Sequence, residues 1–123
     1  MGYNISLRES NFFLDKRDFD LALQSLKSYY ETRFKRRFNQ HQFLGNALES
    51  LSWHCSFDAK GNINKLSWWG EKSGDDYNIL DSIAPYVKSG SYIEMFGEDG
   101  EIWRWIFKDG RCKEITPKIV WEE

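Results

Sequence analysis

Two Asp-Gly pairs, Asp99-Gly100 and Asp109-Gly110, constrain this chain more than any other feature. Each separates runs of alternating, β-favouring residues at 91–96, 102–107 and 111–116. Asp-Gly suits a two-residue type I′ hairpin turn, in which both central residues take positive φ. The pattern therefore predicts a three-stranded antiparallel meander over residues 90–116.

Two-residue loops would also set the register. Phe96 then faces Trp103, Glu94 faces Trp105 and Tyr92 faces Phe107; beyond the second turn, Phe107 faces Cys112, Trp105 faces Glu114 and Trp103 faces Thr116. Opposed residues share a face, so this pairing gives an aromatic face with Glu94 and Glu114 flanking Trp105. The other face would hold Ile93, Met95, Ile102, Arg104, Ile106, Lys113 and Ile115, a floor for helices. A slip of one residue exchanges the faces.

Upstream, Tyr3, Ile5 and Leu7 alternate with polar residues as a first short strand, and Glu9-Ser10-Asn11 reads as a turn. Asp15 is placed to cap a helix from about Lys16 whose apolar stripe runs through Phe19, Leu23, Leu26, Tyr30, Phe34 and Phe38. Asn39 with Gln42 suggests a capped restart, followed by a second amphipathic helix through Leu44, Leu48 and Leu51. Residues 53–57 and 63–69 form a hairpin around Asp58-Ala59-Lys60-Gly61-Asn62, with Trp68 and Trp69 pointing to opposite faces. Asp75 or Asp76 caps a third helix with Ile79, Leu80 and Ile83 inward. In the tail, Ile119, Val120 and Trp121 suffice for one docked edge segment.

The resulting order, β-α-α-β-β-α-β-β-β, lacks the alternating βαβ units of a parallel sheet. It implies an α+β fold, a largely antiparallel sheet with helices packed on one face, in a single domain over residues 1–123. Six Trp and 17% aromatic residues let so short a chain bury much apolar area. Residues 62–123 carry 8 Lys/Arg against 12 Asp/Glu, a net of −4, and residues 1–61 carry 9 against 7, a net of +2. An acidic half suits a basic protein partner better than a nucleic acid. The absence of a signal-peptide pattern and of any run of ~18 apolar residues points to a cytoplasmic protein without a membrane partner. Cys55 and Cys112 fall on strand positions and read as buried free thiols.

Met1-Gly2-Tyr3, Glu9-Ser10-Asn11-Phe12, residues 83–87 with Gly90-Ser91-Tyr92-Ile93-Glu94, and Gly97-Glu98-Asp99-Gly100 with Trp103-Arg104-Trp105 together resemble a group of small bacterial and phage proteins without an assigned activity. The resemblance covers both ends of the chain best, and residues 24–51 do not contribute to it. It implies a setting of mobile genetic elements, where toxin-immunity and anti-defence proteins are common.

The chemistry-bearing residues are sparse. His41, His54, Cys55 and Cys112 lack the spacing of a zinc site, and no glycine-rich phosphate loop occurs, so neither metal nor cofactor is expected. The leading expectation is a non-catalytic protein-binding inhibitor, an immunity or anti-defence (anti-CRISPR-type) protein that blocks a nuclease-like target. Its expected partner-binding residues are Trp68, Trp69, Glu94, Trp103, Trp105 and Glu114. A first alternative is a nucleic-acid-binding module that grips phosphates with Arg33, Lys35, Arg36 and Arg37 at the end of the first helix, where cations also simply complement the helix dipole. A second is a small enzyme or carbohydrate binder using Glu94 and Glu114 as a carboxylate pair beside Trp105, ~10 Å apart by strand spacing.

Overall fold

The computed structural model describes residues 2–38 and 41–122. Its strands are β1 (Ile5–Asn11), β2 (Trp53–Phe57), β3 (Ile63–Trp68), β4 (Tyr92–Gly97), β5 (Ile102–Lys108) and β6 (Arg111–Ile115). Its helices are α1 (Phe19–Phe34), α2 (Leu44–Ser50) and α3 (Asp76–Ile83), and short 3-10 turns precede α1 and follow α3. The strands form a four-stranded antiparallel sheet, in order β1-β4-β5-β6, and a β2–β3 hairpin. This is the α+β architecture expected, with the expected element order.

Leu14 ties β3 to the segment that leads into β4. Its backbone bridges both Ile63 and Val87, with Leu14 N–H donating to Ile63 O at 2.9 Å and Ile63 N–H donating back at 3.1 Å. The side chain is fully buried. Strand β3 lies beside β1, α2 packs on β2, and α3 packs between α1 and β6. One face of the four-stranded sheet supplies Ile5, Ile93, Met95, Trp103, Trp105, Phe107 and Cys112 to the core. The opposite face, with Tyr92, Glu94, Phe96, Ile102, Arg104, Ile106 and Ile115, is half-buried or exposed.

The second Asp-Gly pair makes the expected turn, with Asp109 at φ 52° and Gly110 at φ 79°, and Phe107 faces Cys112 as the two-residue loop requires. The first pair does not. Only Gly100 has positive φ, at 89°, and the closing pair is Gly97 with Glu101, so the loop holds three residues. This is a type I turn followed by a left-handed bulge residue. The Asp99 carboxylate stabilises it by accepting from Glu101 N–H at 3.0 Å and from the Tyr3 hydroxyl. The extra loop residue shifts β4 by one position against β5: Met95 faces Trp103, Ile93 faces Trp105 and Glu94 faces Arg104. The aromatic face with Glu94 and Glu114 expected from two identical turns is therefore replaced by a core face mixing β5 aromatics with β4 aliphatics.

Three other expectations are corrected. Residues 9–11 continue β1 rather than turning, because a bulge between Leu7 and Glu9 adds a residue and breaks the alternation. Helix α1 stops at Phe34 because Lys35 takes a left-handed conformation at φ 57°, its N–H donating to Glu31 O. Phe38 still reaches the stripe, since the chain folds back and stacks it on Tyr30 at 4.4 Å between ring centroids. The tail is not docked: Ile119, Val120 and Trp121 are 81–87% exposed. The capped restart expected at Asn39 lies outside the described residues, and α2 begins at Leu44 without a side-chain cap.

Gly110→Ala should destabilise the protein by about 1 kcal/mol, because alanine pays for a left-handed backbone that glycine adopts freely. Gly74→Ala should be neutral by comparison, since that residue has an ordinary φ and open space around it. Urea unfolding midpoints of the two variants check both expectations.

Candidate acidic aromatic cleft

The residues expected to bind a partner are divided among three places. Trp103 and Trp105 alternate inward on β5 and are 8% and 4% exposed, so they line the core rather than stand on the surface. Glu114, directly opposite Trp105 on β6, accepts a hydrogen bond from Trp105 Nε1 at 2.9 Å. Glu94 lies on the opposite face of the sheet, held by Arg104 at 2.7 Å and Arg8 at 3.4 Å. The Arg104 guanidinium also covers the Tyr92 ring at 4.5 Å. The one-residue shift of β4 is thus what separates Glu94 from Glu114, so these two do not form the carboxylate pair beside Trp105 that the carbohydrate or glycosidase alternative named.

Trp68 and Trp69 belong to the hairpin. Trp68 packs on Trp53 with centroids 4.9 Å apart, whereas Trp69 is 62% exposed and stacks on His54 at 3.8 Å. Adjacent strand residues point oppositely, so one indole goes inward and the other outward. Arg33, Lys35, Arg36 and Arg37 are exposed at the end of α1, and none is in an ion pair among the described residues. The Arg33 guanidinium lies over Phe34 at 5.1 Å.

Three of the expected residues do converge. Trp103, Trp105 and Glu114 share a cleft of about 230 Å³ with Tyr3, Asp76, Tyr77 and Glu101. It opens below α3, between the start of β1, the beginning of β5 and the end of β6. Glu101 and Glu114 are exposed, and indoles form the wall. Asp76, at the first turn of α3, is buried and accepts from Trp53 Nε1 at 3.1 Å and from Gly74 N–H at 2.9 Å. Burial pushes its carboxyl above the ordinary carboxylate range, against the pull of those two hydrogen bonds. The hydrogen bond to Asp99 pushes the Tyr3 phenol up to about 12 and holds Asp99 below the ordinary range.

Nothing in the sequence pointed to Tyr3, Asp76, Tyr77 and Glu101 meeting, because three separate segments, before β1, in α3 and before β5, bring them together. Trp103 Nε1 is buried without a hydrogen-bond partner, as is that of Trp68. Larger hollows lie elsewhere. One of about 480 Å³ is walled by Phe19, Phe43, Phe57 and His54, and one of about 530 Å³ lies between α1 and α3 around Ser25, Tyr29 and Asp81. Cys55 and Cys112 are buried free thiols pushed up to about 12 by burial, too protonated near neutrality to act as nucleophiles. Among the described residues, no three His, Cys, Asp or Glu side chains converge as metal ligands would. No helix among them is long and apolar enough to cross a membrane. Compared with family models, curated proteins and solved structures, the chain finds no significant match in any of the three.

Because the folded protein holds the Asp76 proton more tightly than the unfolded chain, the stability Asp76 contributes is present below the ordinary carboxylate range. It is lost as pH rises through the raised value. Asp76→Asn removes this contribution. Between pH ~3 and ~7 the urea midpoint of the variant should rise relative to that of the wild type, and a constant difference would contradict the assignment.

Proposed function

We propose that this chain is a non-catalytic protein-binding inhibitor, an immunity or anti-defence protein that blocks a nuclease-like target by receiving one of its basic side chains in the acidic aromatic cleft. The observation that carries this reading is the meeting of Glu101 and Glu114 with the Trp103 and Trp105 indoles in one cleft. A lysine or arginine entering there would meet two carboxylates and aromatic surface together, a combination that favours cations through Coulomb attraction and the ring quadrupoles. The surrounding half of the chain has a net charge of −4, to which Glu98 and Asp99 of the adjoining turn contribute. Such a field speeds encounter with a basic surface, and nuclease active sites are basic because they bind phosphates. The resemblance to small bacterial and phage proteins supplies the setting.

Affinity capture from a bacterial lysate, with and without nuclease treatment, tests this reading when run beside the charge-reversed variants Glu101→Lys and Glu114→Lys. The expected outcome is one stoichiometric protein that survives nuclease, is lost by at least roughly tenfold with either variant, and loses its own activity when the wild-type chain is added. A partner bound equally by both variants would overturn it. Nucleic acid as the retained species, released by reversing Arg33, Lys35, Arg36 and Arg37, would favour the phosphate-binding alternative instead.

A further inference from the structure

We infer that the partner is engaged as an extended basic peptide segment, which adds to the free part of the β6 edge and places a lysine or arginine opposite Glu114. This rests on the protein-binding reading above and names the form of its ligand.

The backbone directions along β5 and β6 locate the free edge. Phe107 N–H donates to Ser91 O at 2.9 Å and Phe107 O accepts from Gly90 N–H at 2.8 Å, so both groups point towards β4. Backbone groups alternate sides along a strand, and Cys112 and Glu114 lie opposite Phe107 and Trp105. Cys112 and Glu114 therefore direct their N–H and C=O away from the sheet. At Cys112 both groups are taken by α3: the N–H donates to Asp81 Oδ1 at 2.9 Å, and the C=O accepts from the Tyr77 hydroxyl at 2.8 Å. At Glu114, no group among the described residues takes either. Beyond Ile115, Thr116 and Pro117 wall a hollow with Glu94, Ile102, Trp103 and Arg104.

A strand hydrogen-bonded to the Glu114 backbone puts its facing residue on the same side of the sheet as Glu114, about 5.5 Å away between Cα atoms. That side holds the cleft. A basic side chain at this position meets the Glu114 carboxylate, which has lone pairs left after accepting from Trp105. Trp103 supplies an independent indication. It is 8% exposed and lines the same cleft, yet its indole N–H has no acceptor. An extended peptide brings carbonyl oxygens together with the cation, whereas a lone ammonium ion brings none. Strand addition gives affinity through main-chain bonds and specificity through the side chains that enter pockets.

The probe is an acetylated and amidated peptide, Thr-Val-Thr-Arg-Thr-Val-Thr, titrated into the full chain and followed by amide NMR. Two control peptides carry glutamate in place of the arginine, or the same arginine with its amide N-methylated. The expected result is saturable shifts centred on Glu114 and the Trp103 indole, with both controls and the Glu114→Lys variant binding roughly tenfold more weakly. Absence of shifts at millimolar peptide, equal binding of the N-methylated control, or sedimentation as a dimer closed through this edge would each overturn the inference. If the peptide fails while Glu101→Lys and Glu114→Lys still abolish lysate capture, strand addition alone is overturned. If capture survives those variants as well, the protein-binding reading fails with it.

Discussion

A chain of four indoles holds the two sheets together. Trp68 packs on Trp53, Trp53 on Trp105 and Trp105 on Trp103, with centroids 4.9, 6.1 and 5.9 Å apart. The last two contacts are edge-to-face, the arrangement in which ring quadrupoles attract. Trp53, fully buried, occupies the junction of hairpin, sheet and α3, and its N–H fixes the Asp76 carboxylate at the start of that helix. A 123-residue chain with two small sheets has no broad layer to bury. Large rings make contact across that gap with few rotatable bonds to order, which accounts for the aromatic content better than a surface role does.

The same rings tie stability to the cleft. Trp105 ends its contacts in the core and begins its hydrogen bond at Glu114, so the wall of the cleft is also the edge of the hydrophobic interior. Its Glu114 and Asp76 carboxylates are each held by an indole N–H of the core. The unpaired N–H of Trp103 is the exception, and a buried donor left so costs about 1–3 kcal/mol.

Much of this was legible in the sequence where local chemistry decides structure. The Asp109-Gly110 turn, the Gly61 hairpin loop, the inward stripe of α3 and the opposed directions of Trp68 and Trp69 all follow from positive φ or side-chain period. The Asp99-Gly100 turn was not legible, since the dipeptide is compatible with a two-residue and a three-residue loop. What accompanies the longer one is the Tyr3 hydroxyl on Asp99, a contact across 96 positions of sequence. That one choice put Glu94 on the face away from Trp105 and set Ile93 and Met95 beside Trp105 and Trp103 on the core face, leaving Ile102, Ile106 and Ile115 on the other. The β1 bulge and the reversal at Lys35 escaped periodicity for a related reason: each adds a conformation that breaks the count without changing residue type. The cleft was half visible, with Trp103, Trp105 and Glu114 set by the second turn, and Tyr3, Asp76, Tyr77 and Glu101 delivered only by folding.

The two α3 side chains seated on Cys112 also bear on how this sheet meets other copies of itself. An edge with every outward N–H and C=O available can template strand after strand, the route to cross-β growth. Here Asp81 and Tyr77 close the first outward position of β6, and Arg111 and Lys113 add charge beside it. The opposite edge, β1, is occupied near its start by Glu71 and Ser73 and lies along β3 further on. What is left open on β6 is too short to template strand after strand.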